Sequence, residues 1–124
     1  MILVIDDVKT FPFPNDPDDV VYARTLSDGT VWLTEAEAAG VRISELWLDH
    51  DLGGDDTIRP ICLMLAERAF NGNPYPVSRI VICSLNPVGI DWMWSTLSPY
   101  YNLAICNDPE SVFDLLGSTQ VKWY

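Results

Sequence analysis

Four short runs of consecutive hydrophobic residues predict the strands of this chain. They cover residues 1–5, 46–48, 80–83 and 103–106. Apolar side chains fill successive positions in these runs, which is typical of strands buried on both faces of a parallel sheet. Residues 20–26 alternate weakly between apolar and polar positions, and they are the best candidate for a further strand.

Two segments between the runs have the apolar spacing of amphipathic helices. One follows Thr57 and the other follows Asn86 and Pro87, with apolar residues at intervals of three and four. The expected inward-facing residues are Ile58, Ile61, Leu65 and Ala69 in the first helix and Ile90, Met93, Trp94 and Leu97 in the second. We expect Asp55, Asp56 and Thr57 to cap the first of these helices.

Two further helix ends are marked by capping residues. Thr34 and Glu37 have the spacing of a capping box, ahead of a short Ala-rich turn that stops at Gly40. Near the end of the chain, Asp108 is suited to begin a helix that ends at Gly117. The inner face of that helix would consist of Val112, Phe113 and Leu116.

The segment after the first run allows more than one structure. Residues 11–19 are rich in Pro and Asp and predict a surface loop, so we expect the helix after the first strand to be short or missing. The Asp28-Gly29 pair, followed by residues 30–33, is compatible with a β-hairpin. A helix over residues 30–39 is the alternative.

Strands that alternate with helices in 124 residues predict one α/β domain over residues 1–124. The expected architecture is a doubly wound, mainly parallel sheet of five strands in the flavodoxin-like, or receiver-like, order 2-1-3-4-5. Ligands of such sheets bind at the carboxyl ends of the strands. The residues that follow each run are therefore the candidates for chemistry.

The charge of the chain limits its partners. Its formal net charge is −11, so we expect neither direct binding to duplex nucleic acid nor attraction to anionic membranes. Residues 1–60 hold 13 acidic and 4 basic residues, so the carboxylates are concentrated in the first half. A phosphate-bearing partner would need a cation between itself and this acidic surface.

The cysteines and the N-terminal segment indicate the compartment. Cys62, Cys83 and Cys106 lie in apolar segments without CxxC spacing, which favours buried reduced thiols over a disulfide framework or a zinc site. The first apolar run spans only five residues, has no basic flank and meets two aspartates at once, unlike a signal peptide or a membrane span. We expect a soluble cytoplasmic protein.

Polar residues follow nearly every predicted strand. They are Asp6 and Asp7, then Asp49, His50 and Asp51, then Ser84 and Asn86, and finally Asn107 and Asp108. In a parallel sheet these side chains would converge in one crevice, where like charges repel unless a proton or cation intervenes. Asp6, Asp7 and Asp49 together offer the oxygen ligands that Mg²⁺ prefers. Ser84 and the amides that begin the next helix could hold a phosphate.

His50, the single histidine of the chain, lies between two of these carboxylates. It suits either proton transfer and contact with a phosphate, or a purely structural role. Arg59 is the basic residue nearest to this acidic segment in sequence. It could pair with a carboxylate or contact a phosphate, and a solvated surface position is the alternative.

Three motifs resemble the family of cyclic-phosphate processing receiver domains, over residues 1 to about 97. They are the Asp6-Asp7 pair after the first strand, LDHDLG at residues 48–53, and ICSLNPVG at residues 82–89, with GGDDT at residues 53–57 as further support. The resemblance implies a modified response-regulator receiver fold and the processing of cyclic phosphates, such as cyclic nucleotides or 2′,3′-cyclic RNA ends.

The resemblance also implies roles for individual residues. Asp6 and Asp7 look like the metal-binding acidic pair of receivers, and Asp49 looks like the position that accepts phosphate in ordinary receivers. Ser84 looks like the hydroxyl that contacts the phosphoryl group.

The chain departs from the pattern at two places. Cys83 stands where members of the family commonly carry His, which argues against a mechanism with two histidines. Ordinary receivers have a Lys after the fifth strand, whereas this chain has Asn107-Asp108-Pro109. We therefore do not expect aspartyl phosphorylation to act as a signalling switch.

The leading hypothesis is a metal-dependent hydrolase that opens a cyclic phosphate in a small molecule or an RNA end. The carboxylates would bind Mg²⁺ or Mn²⁺, which polarises the phosphoryl group. Asp49, His50 and Ser84 would be the catalytic residues, with His50 giving a proton to the leaving oxygen, and Ser84 and Asn86 would hold the phosphate.

Two other classes of function fit the same sequence. A non-catalytic module could bind a phosphorylated nucleotide or a partner protein through the same crevice, and Cys83 in place of His supports it. The acidic first half could instead mimic nucleic acid and block a basic partner.

Overall fold

A computed structural model describes residues 1–11, 13 and 19–106 and places five strands and three α-helices in them. The strands are β1 (Ile2–Ile5), β2 (Val20–Ala23), β3 (Ile43–Leu48), β4 (Val77–Cys83) and β5 (Leu103–Cys106). The helices are α1 (Leu26–Ala38), α2 (Arg59–Phe70) and α3 (Pro87–Leu97). The four apolar runs of the sequence each form or lie within a strand, as predicted.

The strands form one sheet in the order β2-β1-β3-β4-β5, and every neighbouring pair is parallel. This confirms the predicted parallel sheet and its strand order 2-1-3-4-5. Ile5 of β1 is in register with Leu48 of β3, which is in register with Ile82 of β4. The residues that follow these three positions therefore emerge side by side at one edge of the sheet.

Both faces of the sheet are buried, which explains the uninterrupted apolar runs. Successive side chains of a strand point to opposite faces. Leu46 and Leu48 pack with residues of the helices in a hydrophobic cluster on one face of the sheet. Trp47, between them, belongs to a second hydrophobic cluster on the opposite face. There the rings of Phe11 and Phe13 lie 5.1 and 5.2 Å from the Trp47 ring.

The hairpin prediction is wrong, and a helix occupies the segment instead. Only Val20–Ala23 of the predicted strand is extended, and α1 begins at Leu26, four residues earlier than in the predicted helix. Thr25 is the reason, because its hydroxyl accepts a hydrogen bond from the Asp28 amide and caps the helix. Gly29 then faces the core, where an added Cβ would lie 2.7 Å from Ile5 Cδ1.

The predicted capping box in the same segment is also wrong. Thr34 lies inside α1, where its hydroxyl donates to the Thr30 carbonyl oxygen. The predicted stop is confirmed, since α1 ends at Ala38 and Gly40 follows with a φ of 70°, in the region that favours glycine.

The start of α2 differs from the prediction as well. Asp55 and Asp56 are exposed and do not cap the helix, whose N-cap is Ile58, without a side-chain hydrogen bond. Ile58 is fully buried and anchors the helix by packing, and Pro60 in the first turn has no amide hydrogen that needs a cap. Thr57 retains a weaker role, since its hydroxyl accepts from the Arg59 amide at 3.3 Å.

Helix α3 begins as predicted, since the Asn86 side chain accepts a hydrogen bond from the Gly89 amide. Cys62, Cys83 and Cys106 are buried thiols that form no disulfide, also as predicted.

Between β1 and β2 the described residues contain no α-helix, in agreement with a short or missing first helix. The helix predicted from Asp108 to Gly117 and the polar residues Asn107 and Asp108 lie outside the described residues. No helix within the described ranges is long and apolar enough to cross a membrane.

Candidate functional site

Three carboxylates meet at the carboxyl edge of the sheet. Asp6 follows β1 and Asp49 follows β3, and the parallel register of these strands places the two residues next to each other. Asp7 joins them, and one ligand oxygen from each of the three residues lies within 4.8 Å of the others. The sequence-predicted convergence of these residues is thus present in the structure.

Asp6 is the most deeply buried member of this group, with a relative exposure of 1%. Its Oδ1 accepts hydrogen bonds from the amides of Val8 and Lys9, at 3.0 and 2.8 Å. Its Oδ2 is buried and has no hydrogen-bond partner among the described residues. A buried carboxylate oxygen without a donor is costly unless a cation compensates it. The Lys9 ammonium, 3.4 Å from Oδ2, compensates it in part, and the hard oxygen donors of Asp6, Asp7 and Asp49 fit a divalent cation such as Mg²⁺.

The raised pKa of Asp49 reflects its burial and its closeness to other carboxylates. The pKa of its carboxyl is raised to about 6: burial is the largest cause, Asp6, Asp7 and Asp51 also raise it, and Lys9 lowers it. Asp49 and its neighbours are thus held closer together than their mutual repulsion favours. A bound cation would relieve this repulsion.

Lys9 is a site residue that the sequence did not predict. Its ammonium nitrogen lies 3.4 Å from Asp6 Oδ2 and 3.9 Å from Asp49 Oδ2, and it donates to the Cys83 carbonyl oxygen at 3.4 Å. Burial lowers the pKa of Lys9, but attraction to Asp49 and Asp6 outweighs it, so the pKa is raised and the ammonium stays charged. The available signal was a lone basic residue two positions after Asp7.

An open crevice of about 600 Å³ lies over this cluster. Its lining residues are Asp7, Val8, Lys9, Asp49, Asp51, Ser84, Leu85 and Asn86. Ser84 is buried, and its hydroxyl oxygen accepts a hydrogen bond from the Asn86 amide. Because that bond uses a lone pair, the hydroxyl hydrogen can still be donated to a ligand.

Asn86 connects two walls of the crevice. Its side-chain Oδ1 accepts a hydrogen bond from the Gly89 amide and so caps α3. Its side-chain Nδ2 donates to Asp51 Oδ2 at 3.1 Å. Hydrogen bonds from Asn86 and from His50 hold the pKa of Asp51 below its usual value. Asp51 therefore stays ionised at the crevice wall.

His50 lies behind the crevice rather than in its lining. It is 4% exposed and packs so closely on α3 that a Cβ at Gly89 would be 2.5 Å from its Cγ. Arg59 Nε, which is always a donor, points at His50 Nε2 at 3.0 Å, so the ring proton resides on Nδ1. From there it is donated to Asp51 Oδ1 at 3.1 Å.

Among the described residues, Arg59 contacts His50 and Trp92 rather than the carboxylates of Asp6, Asp7 and Asp49, and its side chain is half-buried. Its guanidinium carbon lies 4.6 Å from the centre of the Trp92 ring, while Nε bonds to His50. The stacked guanidinium joins α2 to α3 and holds the imidazole from the side opposite Asp51.

Comparison with protein families gave one match over most of the chain. The family model described as the cyclic-phosphate processing receiver domain matches residues 1–99. The match includes every site residue described in this subsection, from Asp6 to Trp92. Searches of curated proteins and of solved structures gave no match.

Proposed function

The chain belongs to the family of cyclic-phosphate processing receiver domains, and on that premise we propose that its crevice is a metal-dependent site that opens a cyclic phosphate by hydrolysis. The close approach of the Asp6, Asp7 and Asp49 carboxylates carries this proposal, together with a buried Asp6 Oδ2 that accepts no hydrogen bond and has the Lys9 ammonium 3.4 Å away. The substrate would be a small cyclic nucleotide or a cyclic RNA end.

Asp6, Asp7 and Asp49 would hold the cation, which we expect to be Mg²⁺ or Mn²⁺. When bound, the cation would draw electron density from the phosphoryl oxygens and offset their negative charge. The crevice would otherwise repel an anion, because Asp51 adds a fourth carboxylate to its wall.

Ser84 and Asn86 would position the phosphate. The Ser84 hydroxyl is oriented by the Asn86 amide, and its hydrogen is available to a phosphoryl oxygen. Both residues line the crevice at the start of α3. The Asn86 side chain is already engaged with Gly89 and Asp51, so its contribution is to hold this wall in place.

For His50, the geometry favours positioning over proton transfer. Both ring nitrogens are hydrogen-bonded, to Asp51 and to Arg59. The predicted transfer of a proton to the leaving oxygen would require Arg59 to leave Nε2 when substrate binds and Nε2 to take up a proton from solvent first. Otherwise His50 acts by holding the carboxylate of Asp51 at the crevice wall.

The test is turnover of a panel of cyclic phosphates in the presence of Mn²⁺, followed by ³¹P NMR. The panel includes 2′,3′-cyclic and 3′,5′-cyclic nucleotides and an RNA with a cyclic end. We expect opening of at least one member, with loss of turnover in Asp49→Asn. Glu67→Gln is the matched control, because it also removes one negative charge, from an exposed position of α2. Absence of turnover together with absence of Mn²⁺ binding would overturn the proposal.

A second candidate function is a binding module without catalysis. Val8 and Leu85 line the crevice and are 75% and 74% exposed, which gives the acidic pocket an apolar rim. Such a rim suits the base of a phosphorylated nucleotide or an apolar side chain of a partner protein. Saturable binding of a cyclic nucleotide without turnover would favour this alternative.

A further inference from the structure

We propose that Lys9 is an exchangeable cation of the crevice: its ammonium group holds Asp6 and Asp49 together until a divalent cation replaces it, and it then binds the phosphoryl oxygens of the ligand. The inference rests on the proposed function, since it assigns a role within the same site.

The position of the ammonium group is the first step of the argument. It lies within 4 Å of one oxygen of Asp6 and one oxygen of Asp49, the residues expected to bind the metal. Two cations cannot share that position, because they would repel each other strongly at such a distance. A metal ion in the cluster therefore requires Lys9 to move.

The contacts of Lys9 allow this movement. Charge-assisted hydrogen bonds are about 2.7–2.9 Å long, so the distances of 3.4 and 3.9 Å describe attraction without tight binding. The side chain is 32% exposed and lines the open crevice. A lysine has a flexible four-carbon stem, so its head group can swing without a change of the backbone.

The backbone at Lys9, by contrast, is fixed. Its amide donates to Asp6 Oδ1, and its carbonyl oxygen accepts from Arg24, which also donates to the Asp6 carbonyl oxygen. The stem of Lys9 is therefore anchored at the crevice wall, and the displaced ammonium remains within the crevice.

The charges of the crevice indicate which group the displaced ammonium would contact. Among the described residues that line the crevice, Lys9 is the only basic one, against Asp7, Asp49 and Asp51. A phosphate bound near Ser84 would bring further negative charge to this wall. The ammonium that leaves the carboxylates would then meet the phosphoryl oxygens, for which lysine is a common partner.

The proposal predicts opposite effects of one substitution on two ligands. Removal of the ammonium in Lys9→Met eliminates the competitor of the metal, so we expect Mn²⁺ to bind about 3- to 10-fold more tightly. The same variant lacks the charge that meets the phosphate, so at saturating Mn²⁺ we expect inorganic phosphate to bind about 5- to 20-fold more weakly. If Lys9 had only a structural role, its substitution would weaken the binding of both ligands or of neither.

Isothermal titration of the full chain with Mn²⁺, and then with inorganic phosphate in the presence of Mn²⁺, measures both affinities. Lys9→Arg should restore phosphate binding, and Lys9→Gln repeats the test with a polar side chain in case the Met variant does not fold. Arg42→Met is the matched control for net charge, since Arg42 is exposed and hydrogen-bonds Ser78 rather than a crevice residue. It should leave both affinities unchanged.

The outcomes separate this inference from the proposed function. If the wild-type chain binds Mn²⁺ and phosphate but Lys9→Met and Lys9→Gln fail to change the two affinities in opposite directions, only the role of Lys9 is overturned. If the wild-type chain binds no Mn²⁺, both proposals are overturned.

Discussion

Arg59 Nε donates a hydrogen bond to His50 Nε2 at 3.0 Å, and this single contact decides what the buried imidazole can do. It places the ring proton on Nδ1, directed at Asp51, and it withholds Nε2 from the crevice. A histidine flanked by two aspartates in sequence is thus bound in space by an arginine from the next helix.

Replacement of Arg59 by Leu should release this arrangement. We expect the wild-type imidazole to be the Nδ1-protonated tautomer. In the variant the Asp51 carboxylate still accepts from Nδ1, but Nε2 no longer accepts a hydrogen bond, so the Nε2 ¹⁵N chemical shift should change. The loss of the contacts with His50 and Trp92 should cost about 1–2 kcal/mol of unfolding free energy. Long-range ¹H–¹⁵N NMR measures the tautomer, and chemical denaturation measures the stability. Detection of an Nε2-protonated ring in the wild-type chain would contradict the assignment.

Gly89→Ala should destabilise the fold. The added Cβ would lie 2.5 Å from His50 Cγ, and the imidazole cannot retreat because Asp51 and Arg59 hold both nitrogens. We expect a loss of about 1–3 kcal/mol in urea unfolding, the usual cost of overpacking. Ser95→Ala is the control, since Ser95 is exposed on the same helix and its substitution should change stability by less than about 0.5 kcal/mol. Equal stability of the two variants would show that the helix can shift away from His50.

Asp49→Asn should stabilise the metal-free chain at neutral pH. The pKa of Asp49 is raised to about 6 in the folded state, above the ordinary value of 3.8, so the folded chain binds this proton more tightly than the unfolded chain. Stability is therefore lost as the pH rises from about 4 through 6, by up to about 3 kcal/mol. The variant avoids that loss, and its advantage should vanish below pH 4.

Urea unfolding between pH 3.5 and 7.5 in a chelating buffer measures this difference, with Glu67→Gln as the control for net charge. An Asp49→Asn variant that is less stable than the wild-type chain at pH 7 would show that the carboxylate is stabilised by its surroundings. Saturating Mn²⁺ should reverse the order, because the cation stabilises only the chain that keeps its ligand.

The cysteines should resist thiol reagents in the native state. Burial raises the pKa of the Cys62 thiol to about 12, and a hydrogen bond with Cys106 together with burial raises that of Cys83. The reactive thiolate is therefore scarce at pH 8, and the side chains are inaccessible. A colorimetric disulfide reagent should label the three cysteines only after denaturation, and labelling within seconds without denaturant would contradict the buried positions.

The sequence alone determined the sheet. Continuous apolar runs predicted β1, β3, β4 and β5, because strands covered on both faces need an apolar side chain at every position. The strand order followed from the alternation of strands and helices. That order was enough to place Asp6, Asp7 and Asp49 together, since parallel strands end at a common edge. Local capping rules predicted the start of α1 less well. Thr25 and Thr34 both have a side chain that can cap a helix, but Thr25 begins α1. Packing of the Gly29 face against Ile5 selects between them.

Only the tertiary structure decided which charges meet. Lys9 and Asp49 are 40 positions apart in the sequence, and Arg59 reaches His50 from the first turn of α2. Neither contact therefore leaves a periodic signal in the sequence. Side-chain direction depends on the turn after β1 and on the packing of α2 against α3. For that reason the sequence predicted the acidic crevice, whereas only the tertiary structure placed the Lys9 ammonium beside its carboxylates and the Arg59 guanidinium beside His50.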